Sequence, residues 1–376
     1  MEALGLSKPD DHPNKWGYPA HTFVKHQILD KYLRTWISKL GSTNERLGYI
    51  DGFAGRGYYE DGSPGSPILA MRAAQAQHEK IGKLQTFLCK FIEINDKNYK
   101  SLEKLIEEES RKCTVAKCEL HNSSFESVVS AFLDELEGLR PIPIFYFIDP
   151  FGWDGVPFPI IQRILATPRS EIFFTFIIGD MLRFLSSEKH HPSLTRLFGD
   201  ESWKESLELD NEERESFLVN LYGKKIHNYT EASFYLPYRL ADAEQRRTKY
   251  YLLFATHHID GFMLMKENMK RAGSGRFGFL GPDEEIFKRQ RRLEVVEDAI
   301  YANFLCRYLK GRSITFSNLC KELYPLLDTP VGDCIERDFR RVLKNLGKNG
   351  DPKIRIDRVT STTSRGLQKD DVITFQ

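Results

Sequence analysis

The sequence predicts an α/β protein with a doubly wound parallel sheet, followed by a smaller domain of three helices and a β-hairpin. Three observations predict it. Five short apolar runs alternate with helical patterns between residues 46 and 180. Two of these runs stop at an acidic residue and pass straight into turn residues. Leu47-Gly48-Tyr49-Ile50-Asp51 leads into Gly52-Phe53-Ala54-Gly55-Arg56-Gly57, and Ile144-Phe145-Tyr146-Phe147-Ile148-Asp149 leads into Pro150-Phe151-Gly152-Trp153. Third, the composition changes at the basic run Lys288-Arg289-Gln290-Arg291-Arg292. A strand that ends in this way ends at a ligand: the apolar run makes the strand, and the glycines admit backbone where a Cβ would clash.

The elements follow in order. Residues 1–20 are polar, carry Pro9, Pro13 and Pro19, and read as an irregular arm. Val24, Ile28, Leu29, Leu33, Trp36, Ile37 and Leu40 recur at helical spacing and predict a helix over 21–40. The first strand covers 47–51, and the loop from Gly57 to Gly65 is long for a βα connection. Ser66-Pro67 supplies an N-cap and a first-turn proline for a helix over 68–76. A second strand from Thr86 ends at Glu93-Ile94-Asn95-Asp96, and a charged helix spans about 97–111. A third strand over 114–120 ends in His121-Asn122-Ser123-Ser124, and a helix over 125–137 leads to the strand that ends at Asp149. A helix over 157–166 precedes Glu171–Ile178, the most apolar run of β-branched and aromatic residues. Residues 180–245 read as a charged helical insertion, Tyr250–Thr256 as a further strand and Phe262–Met269 as its helix. Beyond the basic run, helices are expected near 294–309, 316–326 and 333–346, and strands near 353–359 and 371–375. That is the order of a winged helix. The domains so read are an arm and helix at 1–45, a sheet domain at 46–287 and a winged-helix-like domain at 288–376.

Bulk properties narrow the class. With 41% hydrophobic and 28% charged residues, the composition is that of an ordinary globular protein. A net charge of +1 provides no whole-molecule pull toward nucleic acid or membrane, so any such affinity rests on local patches. The six cysteines are scattered, and only Cys113 and Cys118 lie close. Free thiols in a reducing compartment are the expected state, and no metal site is expected. The adjacent histidines His257-His258 point to opposite sides of a strand and lack a third ligand. The N-terminus lacks the apolar core of a signal peptide, and no apolar run reaches membrane-spanning length. A cytoplasmic location without membrane attachment is expected.

Open parallel sheets bind ligands beyond the carboxyl ends of their strands, where the strand order reverses. Four such ends here carry distinct chemistry. Asp51, Phe53, Gly55 and Gly57 offer a carboxylate and bare backbone. Glu93 has paired oxygens suited to a ribose diol, or is a solvated strand end. Asn122 reads as a reader of an adenine edge or as a helix cap. Asp149-Pro150-Phe151 can aim a carboxylate at an exocyclic amine while an aromatic, Phe151 or Trp153, stacks the base. A dinucleotide fingerprint would need a third glycine and a nearer acidic residue, and a phosphate-binding loop would need Gly-Lys-Ser/Thr. What remains is the pattern of S-adenosylmethionine enzymes.

These motifs resemble the three-Cys-motif partner proteins. The likeness rests on Asp51-Gly-Phe-Ala-Gly-Arg-Gly57, Gly65-Ser66-Pro67, Phe147–Gly152, Leu253-Phe254-Ala255-Thr256, His21-Thr22 with Lys25, and Tyr32-Leu33-x-x-Trp36. It covers most of residues 18–280 and implies a Rossmann-like class I methyltransferase fold and a partner protein bearing three cysteines. Asp149-Pro150-Phe151-Gly152 is also similar to the fourth motif of tRNA guanine N2-dimethyltransferases, although Pro157-Phe158 follows at a greater distance. It lacks the second proline found in most amino-group methyltransferases.

In the C-terminal domain, Arg337, Arg341 and Lys344 share one face of the expected third helix, with Arg289 and Arg291 in the adjoining basic run. That face suits phosphate contact, or is a solvated helix face in a protein-binding domain. The expectation is a methyltransferase that acts on a base nitrogen of nucleic acid, RNA favoured. Asp51, Phe53, Gly55, Gly57, Glu93 and Asn122 would hold the cofactor, and Asp149, Pro150 and Phe151 would form the acceptor site. The rival expectation is a non-catalytic nucleic-acid-binding partner of a three-cysteine protein in a defence or modification system.

Overall fold

A computed structural model describes residues 20–241, 247–273, 278–279, 297–347, 353–359 and 366–376. Two compact units emerge: Met1–Asn268 with Gly278–Pro282, and Met269–Phe277 with Asp283–Gln376. The basic run 288–292, including Arg289 and Arg291, and the expected boundary at 287/288 lie outside the described residues.

In the first unit, α1 (Ala20–Gly41) precedes β1 (Arg46–Asp51), α2 (Ser66–His78), β2 (Thr86–Ile92), α3 (Asp96–Ser110), β3 (Ala116–His121), α4 (Phe125–Leu136) and β4 (Ile144–Ile148). Then come α5 (Phe158–Ala166), β5 (Ser170–Phe176), α6 (Ile178–Phe184), α7 (His191–Phe198), α8 (Asn211–Tyr229), β6 (Phe234–Ala241), β7 (Thr248–Thr256), α9 (Ile259–Ala272), whose residues from Met269 on belong to the second unit, and β8 (Gly278–Phe279). The strand order is β3-β2-β1-β4-β5-β7-β6-β8. Strands β1 to β5 are parallel, and β7 runs antiparallel between β5 and β6. The order reverses between β1 and β4, so their carboxyl ends flank the switch point.

The expected helical insertion over 180–245 is helical only as far as Tyr229; its last part is the strand β6. The miss has a physical cause. Phe234-Tyr235-Leu236-Pro237-Tyr238 carries a proline that argues against a sheet interior, yet Pro237 is accommodated where β6 has only the short β8 beside it.

One face of α1 explains how the site is covered. Lys25, Leu29, Tyr32 and Trp36 are buried and spaced to share a side of the helix. Trp36 and Tyr32 pack edge-on and tilted against Phe145 in β4, at 6.0 and 5.4 Å between ring centroids. Lys25 reaches Asp149 just beyond the end of the same strand. Helix α1 therefore runs antiparallel to β4, its eleven residues rising about 16 Å against about 13 Å for four strand residues. Beneath it, Tyr49 stacks parallel to Phe145 at 6.2 Å, as their direct register in β1 and β4 requires. The opposite face of the sheet packs on α4, α5, α7 and α8 through residues such as Val129, Ile161, Phe174, Phe198 and Tyr222.

The second unit contains a helix over 297–308 (α10), β9 (Ser313–Thr315), α11 (Phe316–Leu323), α12 (Glu336–Leu346), β10 (Ile354–Asp357) and β11 (Val372–Phe375). Its sheet is antiparallel, in the order β10-β11-β9. Leu305, Leu319, Phe339, Leu343, Ile354 and Ile373 are buried in it. β9 is three residues long and was not expected from the sequence, which offers too short a run to register a period.

Candidate active site

The turn after β1 is built around a buried carboxylate. Asp51 has no exposed surface; it accepts from Tyr49 OH at 3.2 Å and from Phe53 N at 3.4 Å, and the Ser66 side chain also bonds to it. Burial is the main reason its pKa is pushed up to about 7; the donors from Ser66 and Phe53 pull the other way, and the nearby Asp149 adds to the rise. Asp51 was expected to touch a ligand. It holds the loop and the start of α2 instead.

A raised carboxylate pKa means that the folded state keeps a proton the unfolded chain has lost. Its contribution is therefore intact below about 4 and is lost as pH rises toward 7. Thermal unfolding of wild type and Asp51→Asn at pH 4, 5.5 and 7.5 should show a smaller fall in stability for the variant across this window. The difference should reach on the order of 4 kcal/mol at most. Parallel curves would show that Asp51 does not titrate there.

Beyond Asp51 the chain folds back on itself. Gly55 and Gly57 have positive φ, +64° and +90°, a region open to glycine. A Cβ on Gly57 would also meet Leu105 at 2.9 Å. Gly65 N donates to Gly57 O at 2.7 Å and so closes the loop onto the first turn of α2. The helix begins at Ser66 with Gly65 as its cap and without a side-chain capping bond, rather than with Ser66 as the cap. Ala54 N donates to Ile92 O at 2.9 Å, which ties the glycine loop to the end of β2. Phe53 stacks on Phe125, with ring centroids 5.5 Å apart.

A cavity of about 1470 Å³ opens at the switch point, lined in part by Phe53, Gly55, Gly57, Asp149, Pro150 and Phe151. The two strand ends singled out by sequence thus share one crevice. Lys25 Nζ lies 2.5 Å from Asp149 Oδ2, with the lysine buried and the carboxylate partly exposed. The Lys25 ammonium also sits 5.4 Å from the centre of the Tyr250 ring. Its neighbour His26 is buried, and burial followed by the Lys25 charge lowers its pKa to about 3, so the ring is neutral at working pH. Phe151 is 86% exposed, free to stack on a ligand. Trp153 is not: it is buried, packs tilted against Phe184 and edge-on to His190, and donates from Nε1 to Ser193 Oγ at 2.9 Å.

Glu93 and Asn122 do not line the cavity. Glu93 is buried and one of its oxygens accepts from Asn95 N at 2.7 Å. Asn122 directs its amide nitrogen to Glu93 O at 2.9 Å and Ile94 O at 3.3 Å, so it braces the turn after β2. The residue missed there is Ile94, an apolar side chain left 69% exposed beside Glu93. Lys25, which the sequence marked only as part of the resemblance and gave no role in the site, carried one further signal, a cation on the apolar side of α1.

In the second unit, Lys344 is exposed and Arg337 largely so. Arg341 differs from expectation. It pairs with both oxygens of Asp298 at 3.0 Å and lies 3.2 Å from Asp338, so it is engaged within its own unit. Among the described residues, no cluster of three or more metal-ligating side chains occurs, and no helix is long and apolar enough to cross a membrane.

No family model and no curated protein matches the chain. Solved structures do show some likeness. WbdD aligns at 12% identity over 68% of this chain and 47% of its own, with a TM-score of 0.35. This chain therefore spans about half the length of WbdD. Spermidine synthase in complex with the transition-state analogue AdoDATO aligns at 10% identity over 71% of this chain and 70% of its own (TM-score 0.34). An rRNA methylase from Streptococcus thermophilus aligns at 10% identity over 60% of this chain and 93% of its own (TM-score 0.28). At such TM-scores the likeness carries no weight for the chemistry, which stands on this chain's own residues.

Proposed function

We propose that the protein is an S-adenosylmethionine-dependent methyltransferase that modifies a base nitrogen of nucleic acid, RNA favoured. One observation carries the reading: the glycine loop after β1 and Asp149-Pro150-Phe151 after β4 open onto a single cavity at the switch point of the sheet. The residues fit the cofactor. Gly55 and Gly57 present bare backbone, and the α2 N-terminus at Gly65-Ser66 favours a carboxylate. Beyond the end of β2, the exposed Ile94 offers an apolar surface for a purine face.

The bound sulfonium supplies an activated methyl group, so the protein's task is to position the acceptor in line. Asp149 Oδ2 is held by Lys25, and its other oxygen can accept an N–H of the acceptor amine. Transfer would place the methyl on the amine nitrogen and release the demethylated thioether, while the proton on that nitrogen, held toward Asp149, would pass to solvent. The Lys25 charge disfavours a cationic acceptor such as a lysine ammonium and favours the neutral amine of a base. Phe151 offers its exposed ring for stacking, which an extruded base requires. In the second unit, the order helix, strand, two helices and two strands supports a winged helix, with Arg337 and Lys344 available to phosphates.

Transfer of labelled methyl groups to total RNA and total DNA tests the reading, with and without a three-cysteine partner protein. Label in RNA that releases a methylated base on digestion is the expected result. No label in either nucleic acid under both conditions would leave the non-catalytic partner as the better account.

A further inference from the structure

A recess lies between α1 and the carboxyl ends of β4 and β5, next to the start of β7. The sheet register places its members side by side. Phe147 pairs with Phe173 and Ile148 with Phe174, so the next step up these parallel strands sets Asp149 beside Thr175. Thr175 pairs with Leu252, and Tyr250 lies two residues away on the same face of β7. Helix α1 covers this face and contributes Lys25.

Two groups in the recess are anomalous. Thr175 Oγ1 and Tyr250 OH are buried hydroxyls that have no hydrogen-bond partner among the described residues, although both residues line the cavity. An unpaired buried hydroxyl costs roughly 1–3 kcal/mol, so two of them in one recess call for an explanation. Both lie beside an ion pair that also faces the cavity. Burial, and after it the Asp149 charge, raises the pKa of the Tyr250 phenol well above the ordinary range, so it stays a neutral donor.

Resting on the methyltransferase reading, we infer that this recess is the acceptor subsite, and that Tyr250, Thr175 and Lys25 are positioning residues for the polar edge of a nucleobase. Asp149 accepts from an N–H on that edge, and the two hydroxyls donate to an adjacent ring nitrogen or carbonyl oxygen. Such an alternation of donor and acceptor in one rigid plane is what the Watson–Crick edge of a base presents; the hydroxyls of a ribose-phosphate are not held in such a plane. The two hydroxyls then gain on binding the partners that folding denies them.

The test uses the full chain and four nucleoside monophosphates, with ribose 5-phosphate as a probe without a base and S-adenosylhomocysteine as a separate ligand. Tyr250→Phe and Thr175→Val remove a hydroxyl and little else. Expected are nucleotide binding by wild type, weaker or absent binding of ribose 5-phosphate, and about tenfold weaker nucleotide binding in each variant. The melting temperature of both variants should be unchanged or higher, because an unpaired buried group has been removed. A residue with a merely structural role would instead lower it. Binding of S-adenosylhomocysteine is scored independently, so its absence would count against the methyltransferase reading and leave the subsite decided by the nucleotides. The inference is overturned if wild type binds no nucleotide, if ribose 5-phosphate binds as tightly, if both variants keep wild-type affinity, or if their loss tracks a fall in melting temperature.

Discussion

Asp149→Asn should lower methyl transfer by roughly 10²–10³-fold while S-adenosylhomocysteine still binds within a few-fold of wild type. The substitution keeps the shape of the side chain and removes the charge. It also weakens the contact with Lys25, an ammonium with only 6% of its side chain exposed. Breaking a buried pair by neutralising one partner destabilises by about 3–5 kcal/mol, less here because Asp149 retains some solvent contact. A loss of activity alone would therefore be ambiguous. Lys25→Met/Asp149→Asn separates the two causes, since a neutral, similarly long side chain removes the stranded charge. We expect the double variant to recover most of the melting temperature and none of the transfer. Recovery of both together would mean that Asp149 serves only to keep Lys25 folded in place.

Gly57→Val should abolish cofactor binding, with a loss of at least about 100-fold, and should leave nucleotide binding in the acceptor recess largely intact. Two effects act at this position. A φ of +90° is strained for any β-branched residue, at about 1–3 kcal/mol, and the new Cβ would press on Leu105 at 2.9 Å. The loop can relieve this only by moving, and its anchors at Gly65 and Ile92 set where it may go. Gly55→Ala is the graded comparison. A Cβ there meets no atom within 4 Å, so only the φ of +64° opposes it and the loss should be smaller. Equal losses at the two positions would show that space around Leu105 has no part in the effect.

Much of this site was legible because its residues sit where strands stop. An apolar run that ends in an acid and then a glycine or proline marks a strand end from local sequence alone, and Asp51 and Asp149 both carried that mark. What the local pattern left open was the direction in which each side chain turns. Asp51 faces inward beneath the loop, and Trp153 packs near Phe184 rather than against the cavity. Asn122 braces the turn after β2. Lys25 and Asp149 are 124 residues apart, so their pairing depends on how α1 crosses the sheet, which periodicity does not encode. Tyr250 and Thr175 looked like ordinary core residues of a strand. Only the register of β5 against β7 brings them to the recess.

The most direct measurement is calorimetric titration of the purified full chain with S-adenosylhomocysteine, repeated on Gly57→Val. Saturable one-to-one binding to wild type, lost in the variant while its fold is retained, is the predicted result. Absence of heat with wild type, or equal binding by both proteins, would contradict a cofactor seated on the glycine loop.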